Sequence, residues 1–154
     1  MRALVQRVRE ANVSVDGEVV GSCGGGLLVL LGVGQGDDED VAGRVWAKVR
    51  DMRIFPDAEG RTNLSLMDVG GDLLVVSQFT LYASCRKGRR PSFALAAAPD
   101  EAERLYERFC EMAEADVAHV GRGVFGAMME VSLTNDGPFT IWVDSDELAG
   151  PRRG

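Results

Sequence analysis

The chain has 154 residues, with 17 Lys and Arg against 24 Asp and Glu for a formal charge of −7, and 45% of its residues are hydrophobic. That length fits one globular unit of roughly 100–200 residues, and the apolar content supports a full core, which excludes intrinsic disorder and a need for metal or disulfide staples. The acidic balance excludes binding along a long nucleic-acid tract, which takes a dense basic face, but leaves room for a small local site holding an RNA terminus.

No apolar run approaches the ~20 residues that span a bilayer. Leu27 to Leu31 is of strand length. Met1–Val8 interrupts its apolar residues with arginine and glutamine, unlike a secretory signal. Cys23, Cys85 and Cys110 are odd in number and irregularly spaced, which suits neither a disulfide framework nor a zinc site and points to a reducing cytoplasm.

From Leu4 to Val20 apolar and polar residues roughly alternate around Asp16-Gly17, a dipeptide suited to a two-residue hairpin turn. Gly24-Gly25-Gly26 leads into Leu27–Leu31, a continuous run expected of a strand buried on both faces. Asp37-Asp38-Glu39-Asp40 sets acids at a helix N-terminus, and Val41, Val45, Val49 and Met52 follow at helical spacing, so a helix is expected from Asp38 to about Met52. Leu73–Val76 reads as a central strand. Pro99-Asp100-Glu101 opens a second helix with Ala102, Leu105, Phe109 and Met112 on its apolar stripe. Val124–Leu133 and Phe139–Val143 read as two further strands, with Thr134–Thr140 as the connecting turn. Strands outnumber helices and several are joined by hairpin turns, so the expected class is α+β, mainly antiparallel. The basic residues after Asp144 read as a mobile tail.

Several constellations carry possible chemistry. Gly32-Val33-Gly34-Gln35-Gly36 lies between strand and helix but meets four acids and lacks the final glycine of a dinucleotide loop, so it reads as a turn. His119 is the only histidine and lies near no candidate nucleophile in sequence, so it is expected as a partly exposed strand residue. Ser77-Gln78-Phe79-Thr80 ends the central strand in polar groups; it is either a solvated edge or a strand end whose N–H groups and hydroxyls stabilise an oxyanion. If the strand continued, Gln78 and Thr80 would share one face. Arg86-Lys87-Gly88-Arg89-Arg90-Pro91 packs four cations into six positions directly after it, either a solvated loop or a patch that receives phosphates. In Asn135-Asp136-Gly137-Pro138-Phe139-Thr140 the proline withholds an N–H where a strand should start, and Gly-Pro is a place where a cis bond could aim successive carbonyls the same way.

Nearly the whole chain resembles the D-aminoacyl-tRNA deacylases of the widespread bacterial and eukaryotic type. The resemblance lies in Met1–Val8, Gly26-Leu27-Leu28-Val29, Ser77-Gln78-Phe79-Thr80-Leu81, Lys87–Phe93, Phe125-Gly126-Ala127-Met128-Met129 and Asn135–Thr140. Cys23, Cys85 and the extended C-terminal tail depart from the family pattern. The resemblance implies an α+β fold with a barrel-like, mainly antiparallel core and two principal helices, with residues 1–144 as the domain and 145–154 as the tail. It implies hydrolysis of the ester of D-aminoacyl-tRNA, and of glycyl-tRNA mischarged on tRNA(Ala), without metal or cofactor. Ser77, Gln78, Phe79 and Thr80 would be catalytic, positioning the carbonyl while the 2′-hydroxyl of the terminal adenosine assists attack. Gly137, Pro138, Phe125 and Met129 would contact substrate. The implied assembly is a homodimer in which the Gly137-Pro138 pair, with its peptide bond cis, enters the other subunit's pocket and leaves no room for an L-side chain. The implied partner is the tRNA 3′ CCA end, not DNA or membrane. Two other readings stay open: a non-catalytic module that shields aminoacyl-tRNA, and an esterase with Thr80 or Cys85 as nucleophile.

Overall fold

The computed structural model describes residues 1–151. One long strand organises it. β1 (Arg2–Val15) pairs antiparallel with β3 (Gly26–Gly32) through residues 2–8, with β2 (Glu18–Cys23) through residues 11–15, and with β8 (Glu130–Asp144) along its other edge. The β1–β2 turn is Asp16-Gly17 as expected, both residues at positive φ (50° and 81°). On the far side of β3, β6 (Asp72–Ser77) and β7 (Val120–Arg122) run parallel to it. Parallel neighbours need crossovers. The first carries α1 (Glu39–Asp51), the short β4–β5 hairpin (Phe55–Pro56, Thr62–Leu64) and α2 (Leu66–Val69); the second carries α3 (Pro99–Asp116).

The sheet curls until β2 meets β7, and two glycines permit the contact. A Cβ on Gly121 would lie 2.5 Å from the Ser22 carbonyl oxygen, and one on Gly21 would strike the Arg122 carbonyl. The result is the nearly closed, mixed but mainly antiparallel core expected of the α+β class.

β3 and β6 are apolar on both faces because the sheet separates two cores. Leu27, Val29, Leu31, Leu73 and Val75 face α1 and α3, while Leu28, Leu74 and Val76 join Val8, Val13 and Cys23 on the other side. α1 starts where Asp38 accepts from Val41 N, and it buries Ala42, Val45, Trp46 and Val49. Trp46 stacks edge-on to Phe109 of α3 (5.6 Å between centroids) and donates its indole N–H to Asp116 at 2.9 Å.

Two expectations fail at the C-terminal end. Val124–Met129 is a loop, not a strand: Gly126 takes a φ of +77° and Ala127 N closes a turn on the Val124 carbonyl. Thr134–Thr140 is not a connecting turn. β8 runs unbroken from Glu130 to Asp144 along β1, and residues 136–139 bulge out between Asn135, opposite Val8, and Thr140, opposite Gln6. The side chain of Asn135 supplies what the ladder loses there. Its Nδ2 donates to the Arg7 and Phe139 carbonyls, each at 3.0 Å, and its Oδ1 accepts from Phe139 N at 3.0 Å.

The segment expected as a mobile tail begins with α4 (Ser145–Ala149), capped by Asp144, and Ser145 N donates to the Met1 carbonyl. Arg152 to Gly154 lie outside the described residues. No helix among the described residues is long and apolar enough to cross a membrane.

Candidate active site

The carboxyl ends of the three parallel strands open onto a cavity of about 390 Å³. Leu31 and Val33 come from the end of β3, Ser77 and Gln78 from the end of β6, Phe125 and Gly126 from the loop after β7, and Pro99, Ala102 and Tyr106 from the start of α3. Ligands in sheets with parallel strands characteristically bind at this end.

Close backbone approach shapes the floor. A Cβ on Gly32 would lie 2.9 Å from the Gln78 carbonyl oxygen and 3.1 Å from Leu81 Cβ, so β3 can end here only in glycine. β6 stops at Ser77, and the chain tightens into a 3-10 helix over Phe79–Tyr82. Gln78 N donates to the Leu31 carbonyl (2.8 Å), and the Gln78 carbonyl accepts from Leu81 N (3.3 Å). A helix start leaves its first N–H groups without an intrahelical acceptor. Those of Phe79 and Thr80 have no acceptor among the described residues. The Gln78 side-chain amide donates to Thr80 Oγ1 at 2.5 Å, so one hydroxyl holds that amide in place.

The outer wall is fastened to β3. Gln35 N donates to the Leu95 carbonyl and Ala97 N to the Val33 carbonyl. Phe93 then packs edge-to-face on Phe79, with centroids 5.0 Å apart. In the inner wall the Tyr106 hydroxyl donates to the Val75 carbonyl at 2.9 Å. Burial, reinforced by nearby Cys110, holds that phenol well above the ordinary tyrosine value and therefore neutral. Burial likewise pushes the Cys110 thiol up to about 12. No acid, histidine, lysine, arginine or cysteine lines the cavity among the described residues.

Ser77, Gln78, Phe79 and Phe125 thus come together in the cavity wall. Thr80 stands beside it through its bond to Gln78. Met129 does not join them: it packs on the smaller core and lines a shallow recess with Ser14, Asp16 and Gly17. Gly137 and Pro138, joined by a cis bond, are exposed on the β8 bulge and line no part of their own chain's cavity. That bulge is braced from beneath by Arg7. Its Nε donates to the Asp136 carbonyl (3.1 Å), its Nη1 to the Ile54 carbonyl (2.6 Å), and its guanidinium lies 4.8 Å from the centre of the Phe139 ring.

Cys85 is exposed on the basic loop and, like Thr80, does not line the cavity, so the side-chain-nucleophile reading gains no geometric support. His119 lies just ahead of β7, its ring bonded to the Ser22 carbonyl. As cavity lining, Tyr106 and the first turn of α3 are missed by the sequence reading, and Phe93 enters it only as the end of the Lys87–Phe93 motif. A tyrosine inside an otherwise apolar helix stripe was the available signal, since a buried hydroxyl requires a partner.

Comparison with known proteins gives this constellation a family. Residues 4–144 match the family model described as D-Tyr-tRNA(Tyr) deacylase. The chain is similar to proteins named D-aminoacyl-tRNA deacylase from Micrococcus luteus (59% identical over 155 residues, 100% of both chains) and Thermus aquaticus (55% over 152 residues, 99% of this chain and 100% of that one). A solved structure titled c-Myc DNA Unwinding Element Binding Protein matches with a TM-score of 0.89 at 38% identity, over 94% of this chain and 98% of the other. These relatives are ester hydrolases, and the α+β fold described above is shared with the solved structure. The chain belongs to the D-aminoacyl-tRNA deacylase family.

Proposed function

We propose that the cavity takes the aminoacyl ester at the 3′ end of tRNA and hydrolyses it without a side-chain nucleophile, and that a second copy of the chain completes the site. As a member of its family the protein is an enzyme that hydrolyses D-aminoacyl-tRNA. The observation that carries the finer reading is the cavity's chemistry: its polar side chains are Ser77, Gln78 and Tyr106, none of which ionises near neutrality in this setting.

Such a cavity can hold an ester and stabilise charge developing on its carbonyl oxygen, but it holds no base to activate an attacking group. The substrate itself carries a group that can relay a proton, the 2′-hydroxyl of the terminal adenosine. Water attacks the carbonyl carbon, the free N–H groups at Phe79 and Thr80 and the Gln78 amide meet the oxyanion, and the water proton passes through the 2′-hydroxyl to O3′ as the acyl C–O3′ bond breaks, releasing amino acid and tRNA. Glycine, lacking a side chain, passes as a D-residue does.

Chirality is assigned to the Gly137–Pro138 bulge of the second copy. The bulge is exposed, held by Arg7 and Asn135, and flanked on β8 by exposed Leu133 and Trp142, an apolar surface that suits an interface. Rigid backbone rejects an L-side chain by clash, whereas contacts reading a small side chain discriminate by only about 1–3 kcal/mol. The three free thiols support a reducing, cytoplasmic setting.

The test incubates the pure protein with D-tyrosyl-, L-tyrosyl- and glycyl-tRNA and follows free amino acid, alongside D-tyrosyl-tRNA ending in 2′-deoxyadenosine. Release from the D- and glycyl-esters alone is expected, with the deoxy substrate far slower. Equal rates on both enantiomers would overturn the chiral reading, and an unchanged deoxy rate would overturn substrate assistance.

A further inference from the structure

Beyond the cavity, the loop from Cys85 to Pro91 has no role in the chemistry above. It carries Arg86, Lys87, Arg89 and Arg90, all exposed. None of the four is in an ion pair among the described residues, whereas most arginines elsewhere are, as with Arg2, Arg50, Arg104 and Arg122. A run of free cations in a chain of charge −7 is a local exception to the molecule's own field.

The loop is attached to the cavity at both ends. Its neck is closed by Ser84 N to the Ser92 carbonyl (2.8 Å) and Ser92 N to the Ser84 carbonyl (2.9 Å). Immediately before the neck lies the 3-10 helix of Phe79, and immediately after it Phe93, and these two rings stack in the cavity wall. The cations therefore stand on a short stalk rooted in the site.

Another part of the cavity's surroundings has the opposite sign. Pro99 and Ala102 line the cavity while their neighbours Asp100, Glu101 and Glu103 are exposed on the same turn of α3. Glu39 at the start of α1 reaches this turn through Arg104 (3.0 Å), and Arg104 is itself taken up by Glu39 and Glu101. A chain of phosphates leaving the cavity meets repulsion there and free cations at the loop.

We propose that the Cys85–Pro91 loop is the phosphate-binding arm of the site. It holds the backbone of the unpaired nucleotides that precede the terminal adenosine, while the acidic first turns of α1 and α3 close the other exit. The inference rests on placing the ester in the cavity. It adds the direction in which the RNA strand leaves and explains how an acidic protein holds a nucleic-acid end: only two or three phosphates need partners, and the loop supplies them.

The experiment compares kcat/KM for D-tyrosyl-tRNA and for D-tyrosyl-adenosine, which has no phosphate, between wild type and the double variant Arg89→Gln/Arg90→Gln across a salt series. Each phosphate contact to a single strand contributes a log–log salt slope of about −0.7, so losing two contacts should flatten the tRNA slope by about 1.4. From 50 to 200 mM salt that is about a sevenfold smaller fall for the variant than for wild type. At low salt the ratio of the tRNA rate to the adenosine-ester rate should fall by a similar factor. An unchanged ratio and slope, or an equal loss on both substrates, would overturn the phosphate arm. Wild type inert toward both esters would overturn the cavity assignment itself, a result separable from the first by the adenosine substrate alone.

Discussion

The Ser77–Tyr82 strand end and the Asp136–Phe139 bulge are both places where a strand departs from its ladder, and they depart in opposite ways. At Ser77 the strand stops and winds into a 3-10 helix, turning backbone donors loose beside a concave, uncharged cavity. At Asp136 the strand swells outward and resumes, held by the Asn135 amide, by the Arg7 guanidinium, whose Nε lies 3.4 Å from the Asp136 carboxylate, and by Arg9 at 3.6 Å from that carboxylate. In the proposed site the first is the receptor and the second the feature that a second copy inserts. A single chain holds both but does not bring them together, since the bulge belongs to the β1–β8 edge and the cavity to the ends of β3, β6 and β7. The difference teaches that catalytic rate and chiral selectivity should be separable by mutation.

The largest effect is expected in the receptor. Gln78→Ala removes an amide that lines the cavity, and losing a main oxyanion or positioning donor costs roughly 10²–10³ in rate. Steady-state kinetics on D-tyrosyl-tRNA should show that loss with the preference for D over L unchanged. Because no cavity group titrates near neutrality, the wild-type profile should also show no enzyme-derived inflection between about pH 5 and 9. A wild-type rate in Gln78→Ala would remove the residue from the site.

In the bulge, Gly137 sits at φ +133°, and a Cβ there would lie 3.1 Å from both Arg7 Nη2 and Phe139 N. Backbone strain of this kind costs on the order of 1–3 kcal/mol. Gly137→Ala should lower turnover of D- and glycyl-tRNA by about tenfold, since 1.4 kcal/mol is one decade, without creating L-activity. Asn135→Ala strips the bulge of its brace and leaves the Arg7 and Phe139 carbonyls short of a donor, for about 1–3 kcal/mol of stability. Its signature differs: a lower unfolding midpoint and a several-fold narrower D/L ratio. An intact D/L ratio in Asn135→Ala would break the division between the two regions, and brisk L-hydrolysis in Gly137→Ala would overturn rejection by clash.

Thr80→Ala should fall between structure and chemistry. The hydroxyl does not line the cavity but holds the Gln78 amide. Freed, that amide still reaches its place part of the time, so a few-fold fall in kcat is expected, recovered by Thr80→Ser, which keeps the oxygen.

The two regions were unequally legible. The Leu27–Leu31 run, the acids capping α1 and the Pro99 start of α3 declare their elements because strand burial, helix capping and helix periodicity are local properties. The bulge was misread as a turn between two strands because Gly-Pro reads locally as a break. What keeps the strand going is Arg7 and the Arg7 carbonyl, more than a hundred residues away in sequence. At the cavity the Ser77–Thr80 motif was visible through family resemblance. Tyr106 was not, and Phe93 showed only as a motif residue without a place, since a helix stripe and a loop residue acquire a common wall only once β6 and α3 are packed. Short α2 and the β4–β5 hairpin carry too few residues for any period to show.

A control for both regions lies at the far end of α3. Asp116 accepts from the Trp46 indole and pairs with Arg50 at 3.1 Å, and these two contacts hold its carboxyl below the ordinary value of 3.8. The folded chain therefore keeps this group ionised at pH values where the unfolded chain has begun to take up a proton. The stability it contributes is fully present above the unfolded value and is lost as pH falls through the folded one. The carboxylate is a third exposed, so solvent screening limits the ion-pair part to at most about 1 kcal/mol. Asp116→Asn should lower the unfolding midpoint at pH 7 and converge with wild type only once the pH has fallen below the depressed folded value. Its kcat and its D/L ratio should match wild type, because neither the cavity wall nor the bulge touches this end of the helix. A shift in either parameter would mean that the packing of α1 on α3 sets the position of Tyr106 and Ala102, and that the receptor extends through the helix pair behind it.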